Sequence, residues 1–164
     1  MHQHILGTRR PVRAVPPIRL GLVVILALIA LAVPAPAMAA SDASSSAASD
    51  LCATVASRAG FSGDKLVTAV AVGLGESSCR PDAYNSNGPT KGCPNGSVDR
   101  GLWQINSCWH PSVSENCAYD AQCNANAAYR ISAKGANFKP WVAYTNGRYK
   151  NYLNEARAAV SRLS

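Results

Sequence analysis

The chain is short of the residues on which most enzyme classes depend. Beyond residue 39 it contains one histidine, His110, and neither a Cys-x-x-Cys nor a Gly-x-Ser-x-Gly motif. A Ser-His-Asp triad would have to use His110, and a zinc site would lack its usual ligand spacing. The chain also has no phosphate-binding loop and no basic cluster interleaved with aromatic residues. Nucleotide-dependent chemistry and a nucleic-acid partner are therefore not expected.

The first 39 residues have the layout of a secretory signal peptide. Residues 1–19 carry four arginines and no acid, residues 20–33 are an unbroken apolar run, and an Ala-x-Ala pattern ends at Ala39. The run is shorter than the roughly 20 residues that a membrane span needs. We therefore expect cleavage and secretion, either to the medium or to the cell wall, with no stable membrane insertion. Cleavage would lower the net charge from +7 to +3, which suits an anionic wall.

The cysteines indicate a disulfide framework. Six are present, all beyond residue 39. An even number in a small exported domain is typical of three disulfides, and their spacing does not choose among the 15 possible pairings. A cysteine nucleophile would leave one cysteine without a partner.

The mature chain of about 125 residues is expected to form one domain. Residues 40–50 are small and polar, which predicts a flexible linker and assigns the domain to residues 51–164. Asp50 is predicted to cap a helix that ends before Gly60. Apolar residues at helical spacing then predict a buried helix that ends near Glu76.

The second half of the domain mixes turn-forming and helical segments. Residues 80–97 are rich in Pro, Asn, Gly and Ser and predict an irregular β-hairpin region, followed by a strand over 98–105. Helices are predicted over 118–134 and 150–162, with a short turn opened by Pro140 between them. The predicted fold class is α+β, mainly helical, with a small β-hairpin lobe. A cleft between the lobes would suit an extended substrate.

Two carboxylates stand out as candidate catalytic groups. Glu76 ends an apolar helix, so burial is expected to raise its pKa and let it donate a proton near neutral pH. Asp99 opens the predicted strand, and the amides of Asn85, Asn87 and Asn106 are near enough in sequence to hydrogen-bond its ionised form. Two simpler interpretations remain open. Glu76 could serve only as a helix-end ion pair, and Asp99 only as a turn residue bonded to its own backbone.

Four motifs resemble those of the c-type lysozymes, and they follow one another along the chain in the same order as in that family. Residues 96–107 read GSVDRGLWQINS, against the family's G-S-x-D-Y-G-x-x-Q-I-N-S. Residues 76–78 (ESS), 85–87 (NSN) and 141–144 (WVAY) are similar to its E-S-x-F, N-x-N and W-V-A-W. The resemblance covers residues 64–145 and implies a lysozyme-like fold.

The resemblance also implies residue roles and a reaction. Glu76 would be the general acid and Asp99 the nucleophile or stabiliser, the arrangement for which lysozyme is itself the standard example. The residues that would bind substrate are Asn85, Asn87, Gln104, Asn106, Trp109 and Trp141, the last lying against the acid. The implied activity is hydrolysis of β-1,4 bonds in peptidoglycan or a related N-acetylated glycan. The protein would be a monomer and would need neither a cofactor nor a metal.

Departures from the family pattern keep other functions open. Cys79 replaces a Phe and Arg100 replaces a Tyr. Glu76 and Asp99 lie 23 positions apart, farther than is usual, and Cys93 falls in the inserted stretch. These features suggest a bacterial relative, close to lytic transglycosylases. One alternative is therefore a lytic transglycosylase that uses Glu76 alone. Another is a cell-wall glycan-binding protein without activity, and both peptidoglycan and chitin fit as ligands.

Overall fold

The computed structural model describes residues 37–163, so the predicted signal peptide lies outside it apart from its last three residues. Two helices precede three consecutive short strands, and the remaining helices follow them, which confirms the predicted α+β fold. In chain order the elements are α1 (Ala37–Ala59), α2 (Gly63–Ser77), β1 (Tyr84–Asn87), β2 (Ser97–Arg100), β3 (Ile105–Asn106), α3 (Glu115–Tyr119), α4 (Ala121–Ile131), α5 (Val142–Thr145), a 3₁₀ helix (Arg148–Tyr152) and α6 (Leu153–Ser161). None of the helices in this range is long and apolar enough to cross a membrane.

Residues 40–50 form part of α1 and are not the flexible linker that their composition predicts. Alanine has the highest helix propensity, and packing secures this segment further. Ser49 is fully buried, and its hydroxyl donates to the carbonyl of Ser46 at 3.0 Å, so the polar group is satisfied inside the helix. Asp50 lies within α1 and does not cap it. Its carboxylate accepts a hydrogen bond from Nε of Arg162 at 2.8 Å.

The helical lobe is built around α2, which is buried along most of its length. Helix α1 packs against α2, α4 and α6, and α2 packs against α6 and the 3₁₀ helix. The Trp103 indole is fully buried beside α2 and donates to the carbonyl of Ala69 at 2.9 Å. A disulfide between Cys52 and Cys79 joins α1 to the chain just beyond α2. The end of α2, where Glu76 lies, is therefore held by both packing and a covalent link.

The small lobe is an antiparallel sheet in the order β1-β2-β3. Its register pairs Asp99 with Asn85 on one side and with Asn106 on the other. The predicted strand over 98–105 is two strands, because Gly101 and Gln104 both have positive φ, at 73° and 44°, and turn the chain between them. The register brings polar side chains from all three strands together.

Three disulfides form, as the cysteine count predicts, and they settle the pairing that the sequence leaves open. Cys93–Cys108 ties the inserted stretch to the chain just after β3, and Cys117–Cys123 joins α3 to α4. The predicted helix over 118–134 is interrupted at Asp120, whose carboxylate accepts from the Cys123 amide at 2.7 Å and caps α4.

Candidate active site

A continuous cleft runs between the helical and β lobes. It consists of three adjoining cavities of about 290, 320 and 490 Å³, and Gln104 lines all of them. Trp109 and Trp141 are shared by the first cavity and the central one. Glu76 and Asp99 are shared by the central cavity and the third. The structure therefore places both candidate carboxylates in the middle of one elongated cleft.

Glu76 is held in the last turn of α2 with its carboxylate directed at α5. Its Oε1 accepts a hydrogen bond from the backbone N–H of Ala143 at 2.7 Å. Burial raises the pKa of Glu76, the negative charge of Asp99 raises it further, and the Ala143 N–H and the charge of Arg148 partly oppose these effects. The net effect is a carboxyl that keeps its proton to a higher pH than an exposed glutamate does, as a general acid requires.

This raised pKa predicts a pH-dependent stability difference between the protein and Glu76→Gln. A group whose pKa is higher in the folded state gives its stabilisation below its unfolded value, near 4.5, and loses it as pH rises through the folded value. Glutamine does not ionise, so the stability of Glu76→Gln does not lose this contribution as the pH rises. We expect the midpoint of thermal unfolding of Glu76→Gln to rise relative to that of the wild type as the pH increases from 4 to 7. A difference that is constant over this range in calorimetry would contradict the assignment.

A glycine next to the acid allows α5 to approach it. A Cβ placed on Gly75 would lie 2.8 Å from the Cβ of Ala143, closer than two such atoms can come. The small size of both residues therefore lets the Ala143 N–H reach Glu76. Sequence reasoning did not find this contact, since a backbone N–H leaves no trace in the residue type.

Substituting Gly75→Ala should both destabilise the domain and disturb the acid. Overpacking of this kind costs about 1–3 kcal/mol of unfolding free energy, which denaturant titration would measure. Pushing α5 away would lengthen the Ala143–Glu76 bond and move the basic limb of the pH–rate profile upward, because that bond lowers the pKa of Glu76. Gly88→Ala is the matched control, since its added Cβ would meet nothing within 4 Å. An equal effect of the two substitutions would refute the packing argument.

Asp99, on β2, is surrounded by three side-chain amides, two from β1 and one from β3. The Asn87 amide donates to Oδ2 at 2.7 Å, the Asn85 amide to the same oxygen at 3.3 Å, and the Asn106 amide to Oδ1 at 2.7 Å. Ser97 supports them indirectly by accepting from Asn87 and Asn106. These donors fix the orientation of the carboxylate, which can accept hydrogen bonds at both oxygens.

Like Asn85 and Asn87, two further predicted substrate-binding side chains, Gln104 and Asn106, are already engaged within the protein. The Asn106 carbonyl oxygen accepts from the backbone N–H groups of Cys108 and Trp109, while its amide serves Ser97 and Asp99. The Gln104 amide donates to backbone carbonyls at 3.2 and 3.0 Å. Both residues therefore shape the cleft wall, and Asn106 also orients Asp99.

The two cleft tryptophans differ in exposure. Trp141 is 5% exposed, and its indole N–H donates to the carbonyl of Trp103 at 2.8 Å. It lines the same cavity as Glu76 and adds to the apolar wall there. Trp109 is 63% exposed and lies over Gly92, where any side chain would overlap the ring. Its position gives the cleft an open aromatic surface of the type on which sugar rings stack.

Several cleft residues have no counterpart among the predicted site residues. Arg80 and Arg148 line the third cavity, and Thr90 and Cys93 line the central one. The exposed arginines resemble any surface cation in sequence, so only the fold reveals their place. No group of three or more His, Cys, Asp or Glu side chains that could hold a metal ion occurs in the part of the chain that the structure describes.

Comparison with protein families agrees with this geometry. The family described as a lysozyme-like domain matches residues 53–143, a range that includes Glu76, Asp99 and the Ala143 N–H. The chain belongs to this family of lysozyme-like domains. Membership confirms the resemblance predicted from the motifs and points to a domain that acts on glycans. No curated protein and no solved structure matches the chain.

Proposed function

We propose that the protein is a secreted muramidase that hydrolyses β-1,4 bonds in peptidoglycan. The observation that carries the proposal is the unequal pair of carboxyls in one cavity. Glu76 is partly buried with a raised pKa, whereas Asp99 accepts three amide hydrogen bonds. Glycoside hydrolysis needs one carboxyl that holds a proton and one that is ionised.

In the proposed reaction the two residues act in turn. Glu76 donates its proton to the glycosidic oxygen, which leaves as a hydroxyl group of the departing sugar. Asp99 stabilises the positive charge at the anomeric carbon or bonds to it. Glu76, now ionised, takes a proton from water as the water attacks that carbon, which releases Asp99 and restores the acid. The configuration at the anomeric carbon is retained.

The surroundings of the pair support an extended glycan as substrate. The cleft continues on both sides of Glu76 and Asp99, so sugar residues have room on either side of the bond that is cut. The exposed ring of Trp109 offers an apolar face to a sugar. Three disulfides are typical of proteins that work in an oxidising compartment outside the cytoplasm, where cell-wall glycan is found.

A lytic transglycosylase is the nearest alternative. It would keep Glu76 but release the leaving sugar by internal attack of the 6-hydroxyl, which forms a 1,6-anhydro end and consumes no water. The amide cage around Asp99 favours hydrolysis, since this alternative gives an oriented second carboxylate no task.

Mass spectrometry of soluble products from purified peptidoglycan tests the proposal. Hydrolysis gives reducing-end muropeptides, and water labelled with ¹⁸O adds its oxygen to them. Anhydro ends without label would assign the protein to the transglycosylases. Retention of the protein on peptidoglycan with no products would identify a binding protein.

A further inference from the structure

Two arginines lie at the third cavity of the cleft, which we call the arginine end and define by Arg80 and Arg148. Arg80 follows α2, and its Nε donates to the carbonyl of Ser77 at 3.2 Å, which orients the guanidinium. Arg148 begins the 3₁₀ helix after Gly147, whose φ of 80° turns the chain there. Both side chains are exposed, and both share this cavity with Glu76.

Neither arginine is neutralised by an acid of the described chain. The two salt bridges among residues 37–163 are Arg100–Glu115 and Arg162–Asp50, which leave out Arg80 and Arg148. Arg80 also borders a neighbouring cavity lined by Glu155, with no salt bridge between them. Apart from Nε of Arg80, which donates to Ser77, the guanidinium groups are therefore available to an anionic ligand.

Arg148 does not assist the acid. Its positive charge lowers the pKa of Glu76 and so works against the proton that general acid catalysis needs. The charge of Arg148 is also placed where it can attract an anionic ligand in the third cavity. The arrangement favours a substrate that brings a negative charge to one side of the bond to be cut.

We propose that the arginine end binds a carboxylate carried by the glycan, so that the protein selects acidic muramyl glycans over neutral ones such as chitin. This inference rests on the proposed function and names its substrate class. In peptidoglycan every second sugar carries a lactyl ether that ends either in its own carboxylate or in a peptide with further carboxylates. Guanidinium groups bind carboxylates with paired, charge-assisted hydrogen bonds. Chitin offers no anion at this place.

Binding measurements in the Glu76→Gln background test this selection without cleavage. The ligands are soluble peptidoglycan fragments in two forms, with carboxylates free or capped as methylamides. Each form is prepared with its peptides present and with its peptides removed by an amidase. The comparison distinguishes the effect of the peptide carboxylates on affinity from the effect of the lactyl carboxylate. We expect free-carboxylate fragments to bind about tenfold more tightly than capped ones, an affinity ratio that matches one or two exposed charge-assisted contacts. The ratio should fall as salt is added.

Substituting Arg80→Gln and Arg148→Gln together should remove the preference, lowering affinity for the free form about tenfold and for the capped form by less than twofold. Lys150→Gln is the matched control, an exposed cation of the same 3₁₀ helix that lines none of the three cleft cavities. Equal affinity of the intact arginine end for free and capped fragments would overturn the inference while leaving cleavage by the wild type untouched. Loss of affinity for both forms alike in the double variant would also overturn it. Absence of binding to every fragment would overturn both the inference and the proposed function.

Discussion

Replacing Glu76 with glutamine should lower kcat on peptidoglycan by about 10³-fold, within the range by which a positioned general acid accelerates such reactions. Glutamine has nearly the same shape, and its carbonyl oxygen can still accept from the Ala143 N–H that binds Oε1 at 2.7 Å. Only the transferable proton is lost. Release of reducing ends by the purified mature domain is the measurement, and binding to the insoluble wall should persist.

The control for this substitution is Glu115→Gln, which alters an exposed carboxylate that lines none of the three cleft cavities. It should leave kcat within a factor of two. Circular dichroism should show that both variants fold. Residual activity of Glu76→Gln above a tenth of the wild type would remove Glu76 from the role of proton donor. The proposed catalytic mechanism would then be wrong, whereas the family membership and the fold would be unaffected.

Asp99→Asn should lower the rate by about 10²-fold or more, because an amide neither offsets the charge of the sugar cation nor bonds to its carbon readily. The variant also tests the amide cage. Asn85, Asn87 and Asn106 all donate to Asp99, so a new NH₂ group must face at least one NH₂ group that is already there. We expect a loss of about 1–3 kcal/mol in unfolding free energy from the unmatched donor.

The stability and rate effects of Asp99→Asn must be separated. Rates are therefore compared per folded molecule at a temperature well below the unfolding transition. Asp82→Asn, at an exposed position outside the three cleft cavities, is the control. Full activity of folded Asp99→Asn, together with anhydro-ended products, would establish the transglycosylase alternative. If Asp99→Asn no longer releases reducing ends from peptidoglycan while Asp82→Asn still does, the result would support the hydrolase.

The helices with clear periodicity were predictable, and the places where the prediction failed have identifiable physical causes. Leu66, Val70 and Leu74 fall on one side of α2 and are buried, so their spacing alone located the helix. Residues 40–50 carry no large apolar side chain, and composition could not show that Ser49 would be fully buried by tertiary packing. Positive φ at Gln104, a residue that rarely adopts it, hid the break between β2 and β3.

The candidate site was predictable to the extent that side-chain chemistry defines it. The two carboxylates and the amides around Asp99 belong to residue types whose roles can be inferred from motif spacing. The Ala143 N–H could not be inferred, because every residue except proline carries one. Disulfide pairing likewise depends on which elements become neighbours in space. Cys52 and Cys79 lie 27 positions apart and meet only because α1 packs on α2.

The contact between the first and last helices sets the order in which the chain can fold. Ser45 of α1 donates to Glu155 of α6, and Asp50 of α1 pairs with Arg162 just after α6, across 110 and 112 positions of sequence. Helix α1 therefore gains a whole face of its final surroundings only after the last residues have been synthesised. Domains with such long-range contacts fold late and slowly. The domain therefore cannot close around α1 while the chain is still being synthesised, because its last helix supplies part of the surface on which the first one packs.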